Sequence, residues 1–257
     1  MLPRWDSPLT PALSQRAGRG GTASPTPPTT DGVLIAIENA DVLIEGQRVL
    51  RDISWRMRQD ENWVVRGRNG AGKSTFLRLL AGEEHAAPGG RIVRLDLGER
   101  PGLFEVRGRI ALVGPKLQAD HRLEATGEAV VLSGFFGSIG LPSEPTPAQR
   151  AAAHRWLRRL GIEALAARGI QDLSYGELRK LLLARALVID PDVVLLDEPF
   201  NGLDPGGRAE MMELLGELCG AGTRLVLVTH HDGEVLPAVN REMELAGGRI
   251  VYQGPLR

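Results

Sequence analysis

The stretch GRNGAGKST, Gly67 to Thr75, restricts what this chain can fold into more than any other. It fits the pattern G-x-x-x-x-G-K-[ST], in which backbone N–H groups close round phosphate oxygens. Glycines let such a backbone visit positive φ and approach an anion closely. The lysine reaches the outer phosphates of a nucleotide, and the hydroxyl after it binds Mg²⁺. A loop of this kind works only between a strand and a helix, and both are legible. WVVRG before it is apolar and β-branched, while FLRLLAG after it is a helical run closed by Gly82. Gly67, Arg68, Asn69, Gly70, Ala71, Gly72, Lys73, Ser74 and Thr75 are therefore candidate nucleotide contacts, and Ser74 is a candidate metal ligand.

The remaining pattern supplies the sheet that such a loop needs. VLIAIENADVLI and RVLRDISWRMR alternate apolar and polar residues across a Gly-containing turn, as antiparallel strands do. RIVRLDL and RIALVG read as further strands. From about Leu123 to Leu187 the chain turns helical, and in PAQRAAAHRWLRRLGIEALAAR the face Trp156, Leu157, Leu160 reads as core. Then DVVLLDEP, GGRAEMMELLGELCGAG and TRLVLVTHH read strand, helix, strand. VVLL and LVLV are apolar on both faces, as buried parallel strands are. MELAGGRIVYQG closes the chain as a hairpin around Gly247-Gly248. The expected fold is an α/β P-loop core with a mostly parallel sheet. It has an antiparallel β-subdomain on the N-terminal side and an inserted helical subdomain over about 123–187, all within a domain spanning 32–257. Residues 1–31 are rich in Pro, Ser, Thr, Gly and Arg without periodicity and read as disordered. Their piece SPLTPALSQRAGRG is similar to translated bacterial intergenic repeats, so translation is expected to start further downstream.

Composition narrows the function. With 31 Lys+Arg against 32 Asp+Glu, the chain lacks the basic excess of a dedicated nucleic-acid binder. It has no apolar run of about 18 residues or more, the length that spans a membrane. The N-terminus also lacks the charged-then-apolar pattern of a secretory signal. The lone Cys219 cannot form an internal disulfide and reads as a packed thiol near a helix end. The expected location is cytoplasmic, peripheral to a membrane only through a partner.

VVLLDEP places Asp197 and Glu198 at the C-terminal end of a buried strand, the edge where α/β sheets bind ligands. Asp197 is placed to hold Mg²⁺, and Glu198 to orient or deprotonate an attacking water. LSYGELRK, Leu173 to Lys180, sets Ser174 and Glu177 at capping-box spacing at the head of a helix. With these segments in this order, the chain resembles the ATP-binding-cassette ATPases, from roughly Val33 to Gln253. The resemblance implies that Ser174, Tyr175, Gly176 and Glu177 form a signature segment, at the γ-phosphate of an ATP held by another subunit. A helix N-terminus suits that anion. It implies two protomers, a homodimer or a paired cassette, sandwiching two ATP molecules head to tail with Mg²⁺. It also implies that Asn201-Gly-Leu-Asp204 is an interface loop, with Asp204 among the nucleotide-site residues. His230, ending LVLVTH, would contact the γ-phosphate and the attacking water, while His231 reads as a bystander.

Some positions depart from the family's wording. Tyr175 adds bulk where glycine is usual, and Glu177 adds negative charge near a phosphate. The adenine-stacking aromatic becomes Ile44, at a loss of about 1 kcal/mol. The glutamine expected after RIALV falls on Pro115, with Gln118 three residues on as a further candidate metal contact. GPKLQ is similar to a soluble cassette subgroup linked to molybdate transport or photorepair. The implied function is an Mg-dependent ATPase with catalytic Glu198 and His230, energising a transporter through a separate permease docked near Gln118. Two other functions stay open: a soluble cassette acting on DNA or the translation machinery, and a nucleotide-gated regulatory module. A single cassette without sustained heptads argues against the first, and an intact Glu198 against the second. A small-molecule kinase has no use for LSYGE, NGLD and VTH together.

Overall fold

The computed structural model describes residues 32–98, 101–115 and 125–257. Gln118 and the expected disordered segment 1–31 lie outside the described residues. Strands β1 (Val33–Ile44) and β2 (Gln47–Arg58) pair antiparallel. Glu45 and Gly46 between them both have positive φ, 50° and 76°, as a two-residue type I′ hairpin turn demands. Strand β3 (Trp63–Arg66) leads into the glycine loop and helix α1 (Lys73–Leu80). Strand β4 (Arg91–Arg94) returns to the free edge of β1, completing a three-stranded antiparallel sheet in the order β2-β1-β4. This is the β-subdomain that alternation predicted. RIVRLDL delivers a shorter strand than its pattern suggests, because Leu95 turns out of the sheet at φ 53°.

The second sheet holds β5 (Ile110–Val113), β6 (Val193–Asp197), β7 (Arg224–Val228), β8 (Arg241–Ala246) and β9 (Arg249–Pro255) together with β3. Its order is β5-β6-β7-β3-β8-β9, parallel throughout except for the β8–β9 hairpin. Both faces of this sheet are covered. Val194, Leu196, Leu225 and Leu227 face a core shared with the helical region. Val193, Leu195, Val226 and Val228 face a second core shared with β1, β2 and α1. Two-sided burial is why VVLL and LVLV carry no polar alternation.

A short helix α2 (Leu103–Arg107), which no sequence signal announced, buries only Val106. The helical region comprises α3 (Gly127–Leu132), α4 (Pro147–Arg159) and α5 (Tyr175–Leu187). Thr146 and Gln149 form a capping box ahead of Pro147, which starts α4 as proline can at a first helical position. Leu157 is buried, with Trp156 and Leu160 packed beside the same core. PAQRAAAHRWLRRLGIEALAAR is not one helix, however. α4 stops at Leu160-Gly161 and the chain resumes as a short 3₁₀ turn over Glu163–Leu165. Helix α6 (Pro205–Gly220) joins β6 to β7 and keeps Cys219 buried near its end. Among the described residues no helix is long and apolar enough to cross a membrane.

Register brings the chemistry to one edge. Val228 of β7 stands opposite both Asp197 of β6 and Val65 of β3, and Val113 of β5 opposite Leu196. Four strands therefore end at one level. The segments that follow them are the glycine loop, Gly114-Pro115, Glu198 and His230.

Candidate active site

The glycine loop has a seated back and an open front. A Cβ on Gly67, at φ 139°, would lie 2.3 Å from the Leu245 carbonyl oxygen, and one on Gly72, at φ 103°, 2.7 Å from Leu50 Cδ2. Behind the loop, Gly248 N–H donates to the Ala71 carbonyl at 3.2 Å. Strand β2 and the β8–β9 turn thus set its curvature, while Arg68, Asn69, Gly70 and Ser74 stay exposed. Lys73 is buried, and its Nζ donates to the carbonyls of Gly67 at 2.8 Å and Arg68 at 3.1 Å. The ammonium curls over the hollow of the loop, with two neutral acceptors that an anion can replace. Thr75 points inward and accepts from Arg78 at 3.4 Å.

Asp197 is buried at the end of β6. Burial holds its carboxyl above the ordinary carboxylate range, helped by the charge of Glu198 and opposed by the Ser74 hydroxyl, Lys73 and Arg179. Gly114 packs on it so closely that a Cβ there would lie 3.2 Å from Asp197 Cβ. Ser74 and Asp197 line one cavity of about 470 Å³ with Gly114 and Pro115. Among the described residues no three His, Cys, Asp or Glu side chains cluster as a metal cage. One hydroxyl and one carboxylate are, however, the small protein share that Mg²⁺ takes when phosphates and water supply the rest.

Glu198 holds a left-handed backbone at φ 49°. That conformation costs a non-glycine residue about 1–3 kcal/mol and persists only where the surroundings impose it. The restraints are visible. Its N–H donates to the Val228 carbonyl at 3.0 Å, and Oε2 accepts from Asn201 Nδ2 at 2.5 Å. Oε1 lies 3.4 Å from His230 Nδ1. The ring of His231, read as a bystander, lies 4.0 Å from the His230 ring, tilted by 45°. A carboxylate held from both sides, beside an exposed imidazole, can position a water and take its proton.

At the head of α5 the capping box is complete. Glu177 N–H donates to Ser174 Oγ at 3.2 Å, and Ser174 N–H to Glu177 Oε2 at 2.7 Å. Glu177 Oε1 meets Arg168 at 3.1 Å, so its charge is compensated locally. The Tyr175 ring packs against Gly202, where a Cβ would come within 2.3 Å of Cδ1. Its hydroxyl accepts from Arg179 at 2.6 Å. Ser174, Tyr175, Gly176, Glu177 and Asp204 share a second cavity of about 590 Å³, which has no lining residue in common with the first. Ile44, half-buried at the end of β1, packs on the core shared with β2.

Residues 50–201 match the ABC transporter family. The chain belongs to the ABC transporter family. Among similar proteins, the uncharacterized ABC transporter ATP-binding protein YlmA of Bacillus subtilis is 31% identical over 233 residues, 88% of this chain and 86% of that one. The zinc import ATP-binding protein ZnuC of Cereibacter sphaeroides is 34% identical over 224 residues, 87% of this chain and 83% of that one. ModF of Escherichia coli, an ABC transporter ATP-binding protein, is 34% identical over 226 residues, 85% of this chain but only 46% of ModF. Among solved structures, CbiO1 of Clostridium perfringens, part of the ABC transporter complex CbiONQ, superposes with a TM-score of 0.70 at 27% identity, covering 87% of this chain and 89% of that one. The fold also matches the dimeric, ADP- and Pi-bound cassette MJ0796, at a TM-score of 0.74 and 22% identity over 87% of this chain and 99% of that one.

The relatives YlmA, ModF and ZnuC are all named as ATP-binding proteins. The structure of this chain also shows contacts that sequence reading missed. Asn201 was seen only as an interface residue, yet it bonds Glu198. Arg179 is 1% exposed beneath Tyr175, and its Nε and Nη1 have no hydrogen-bond partner among the described residues. Arg66, just before the loop, pairs with Asp232 beyond the histidines at 2.8 Å. None of these had a local signal, since each side chain reads alone as solvated.

Proposed function

We propose that this ABC cassette is an Mg²⁺-dependent ATPase that closes as an ATP-sandwich dimer and energises a transporter. One observation carries the reading. Lys73, Ser74, Asp197, Glu198 and His230 converge at one sheet edge, whereas Ser174 to Glu177 line a separate cavity of the same protomer. A signature segment set apart from its own phosphate loop has a task only if it serves a nucleotide on a second protomer.

The polyphosphate takes the acceptor positions now filled by the Gly67 and Arg68 carbonyls at Lys73. Ser74 and Asp197 would hold Mg²⁺, which neutralises developing charge on phosphate oxygens. Glu198 orients the attacking water and accepts its proton, held in place by Asn201 and met by His230 on the phosphate side. On the second protomer, the capped head of α5 presents Ser174 and backbone N–H groups to the γ-phosphate. Glu177 leaves that anion undisturbed because Arg168 and the Ser174 N–H already engage it. Adenine lies toward Ile44, without a stacking ring.

The transport role draws on relatives named as transporter ATP-binding proteins, YlmA and ZnuC. It implies a separate permease and a place on the cytoplasmic face of a membrane. The cavity beside Pro115 and the exposed Leu103, Phe104 and Ile139 offer that partner a surface. The test is Glu198→Gln, measured for mass in solution with Mg-ATP, with Mg-ADP and without nucleotide. A dimer formed only with ATP, and turnover abolished, is the expected result. Undiminished turnover would refute the role of Glu198, and a monomer despite bound ATP would refute the sandwich.

A further inference from the structure

The turn that carries His230 is built on a buried acid that the hydrolytic scheme does not use. Glu234 is 3% exposed and Thr229 1% exposed, although both sit beside surface residues. An ionised carboxylate so deeply buried is costly unless its oxygens are bonded. Glu234 Oε2 accepts from Thr229 Oγ1 at 2.5 Å, and Oε1 lies 3.5 Å from Arg208 Nη1. Thr229 Oγ1 in turn accepts from the His231 N–H at 3.2 Å, and Glu234 N–H returns to the His231 carbonyl at 3.1 Å.

The direction of these bonds matters. A carboxylate only accepts, so it obliges the threonine hydroxyl to donate to it. The hydroxyl lone pairs are then free for His231 N–H, and the backbone on both sides of His230 is pinned. The upstream end of the same turn is anchored to the active site, because Val228 accepts from the Glu198 N–H. His230 thus leaves a fixed strand end and enters a fixed turn, and its ring reaches Glu198 from there. Arg208 belongs to the first turn of α6, which Asp204 caps, so the acid also ties the histidine turn to the loop containing Asn201.

We propose that Glu234, acting through Thr229, is a positioning residue that sets the His230 imidazole against Glu198. The inference rests on the ATPase reading for its catalytic consequence, but not for its structural one. Thr229→Val removes the hydroxyl at constant shape, Thr229→Ser restores it, and Glu234→Ala removes the acceptor. Turnover, KM and nucleotide affinity would be measured for each, together with the His230 ring resonances and exchange of the His231 amide. Thr229→Val and Glu234→Ala should lower kcat by roughly tenfold or more, a share of what a placed acid–base group contributes. KM and affinity should stay within about twofold, and Thr229→Ser should recover the parent values. In a His230→Ala background the same changes should cost nothing further, because their route runs through the histidine. The ring and amide signals should shift in Thr229→Val and return in Thr229→Ser even if the protein hydrolyses no ATP. Unmoved His230 and His231 signals would overturn the proposal, as would an undiminished penalty in the His230→Ala background.

Discussion

Lys73 and Cys219 are both buried, and the structure predicts opposite experimental behaviour for them. Lys73 is held by two neutral carbonyls that a phosphate displaces. Lys73→Ala should therefore weaken ATP binding by about tenfold or more, as loss of a charge-assisted contact does, while melting of the free protein changes little. Titration calorimetry and a thermal melt would check both halves. Cys219 faces the opposite way, toward the core under α6, and burial pushes its thiol up to about 11. Because the thiolate is the reactive form, alkylation at pH 8 should be slow in the native protein and fast in denaturant; rapid native labelling would contradict the packing. The glycine loop, Asp197 and Glu198 stand out by spacing alone, and the fold gathers them at one sheet edge. Asn201, Thr229 and Glu234 do not stand out, because an amide, a hydroxyl and an acid near strand ends look the same whether buried or solvated. Only the fold brings their partners within reach.

At the level of elements, α5 shows how one helix start can serve two ends. The Ser174–Glu177 box was legible from S-x-x-E, and Ser174→Ala should cost about 1 kcal/mol of stability by loss of the cap, measured by denaturant unfolding. The Glu177 carboxyl is held below its ordinary value by the Ser174 N–H first, then by the Ser174 hydroxyl and Arg168. Its folded value lies below the unfolded one, so its stabilisation is present above the unfolded value near 4.5 and is lost as pH falls through the folded value. Glu177→Gln should therefore lower the melting temperature at pH 7 and lose that effect in acid; an equal penalty at both would mean a purely steric role. Tyr175 adds bulk where glycine is usual. Its ring packs against Gly202, so Gly202→Ala should displace the signature segment. A drop in ATP-driven dimerisation, read by light scattering, would follow. No periodicity rule predicts that contact, because it joins the head of α5 to the loop that follows β6.

For the molecule as a whole, strand existence was easier to read than strand order. Alternation separated the antiparallel sheet from the two-sided strands β6 and β7, but nothing local says that β3 inserts between β7 and β8. That placement pairs Trp63 with both Val226 and Arg241, across more than half the chain. It has a consequence for biosynthesis. The glycine loop is made well before part of its seat, because Leu245 and Gly248 join Leu50 in shaping it and follow it by more than 170 residues. Pairings so distant in sequence close slowly and late. A chain lacking β8 and β9 would carry every motif residue of the loop and still lack the Leu245 and Gly248 side of its seat. The curvature of the glycine loop is therefore fully set only once the β8–β9 hairpin has docked, however early the loop's own residues are made.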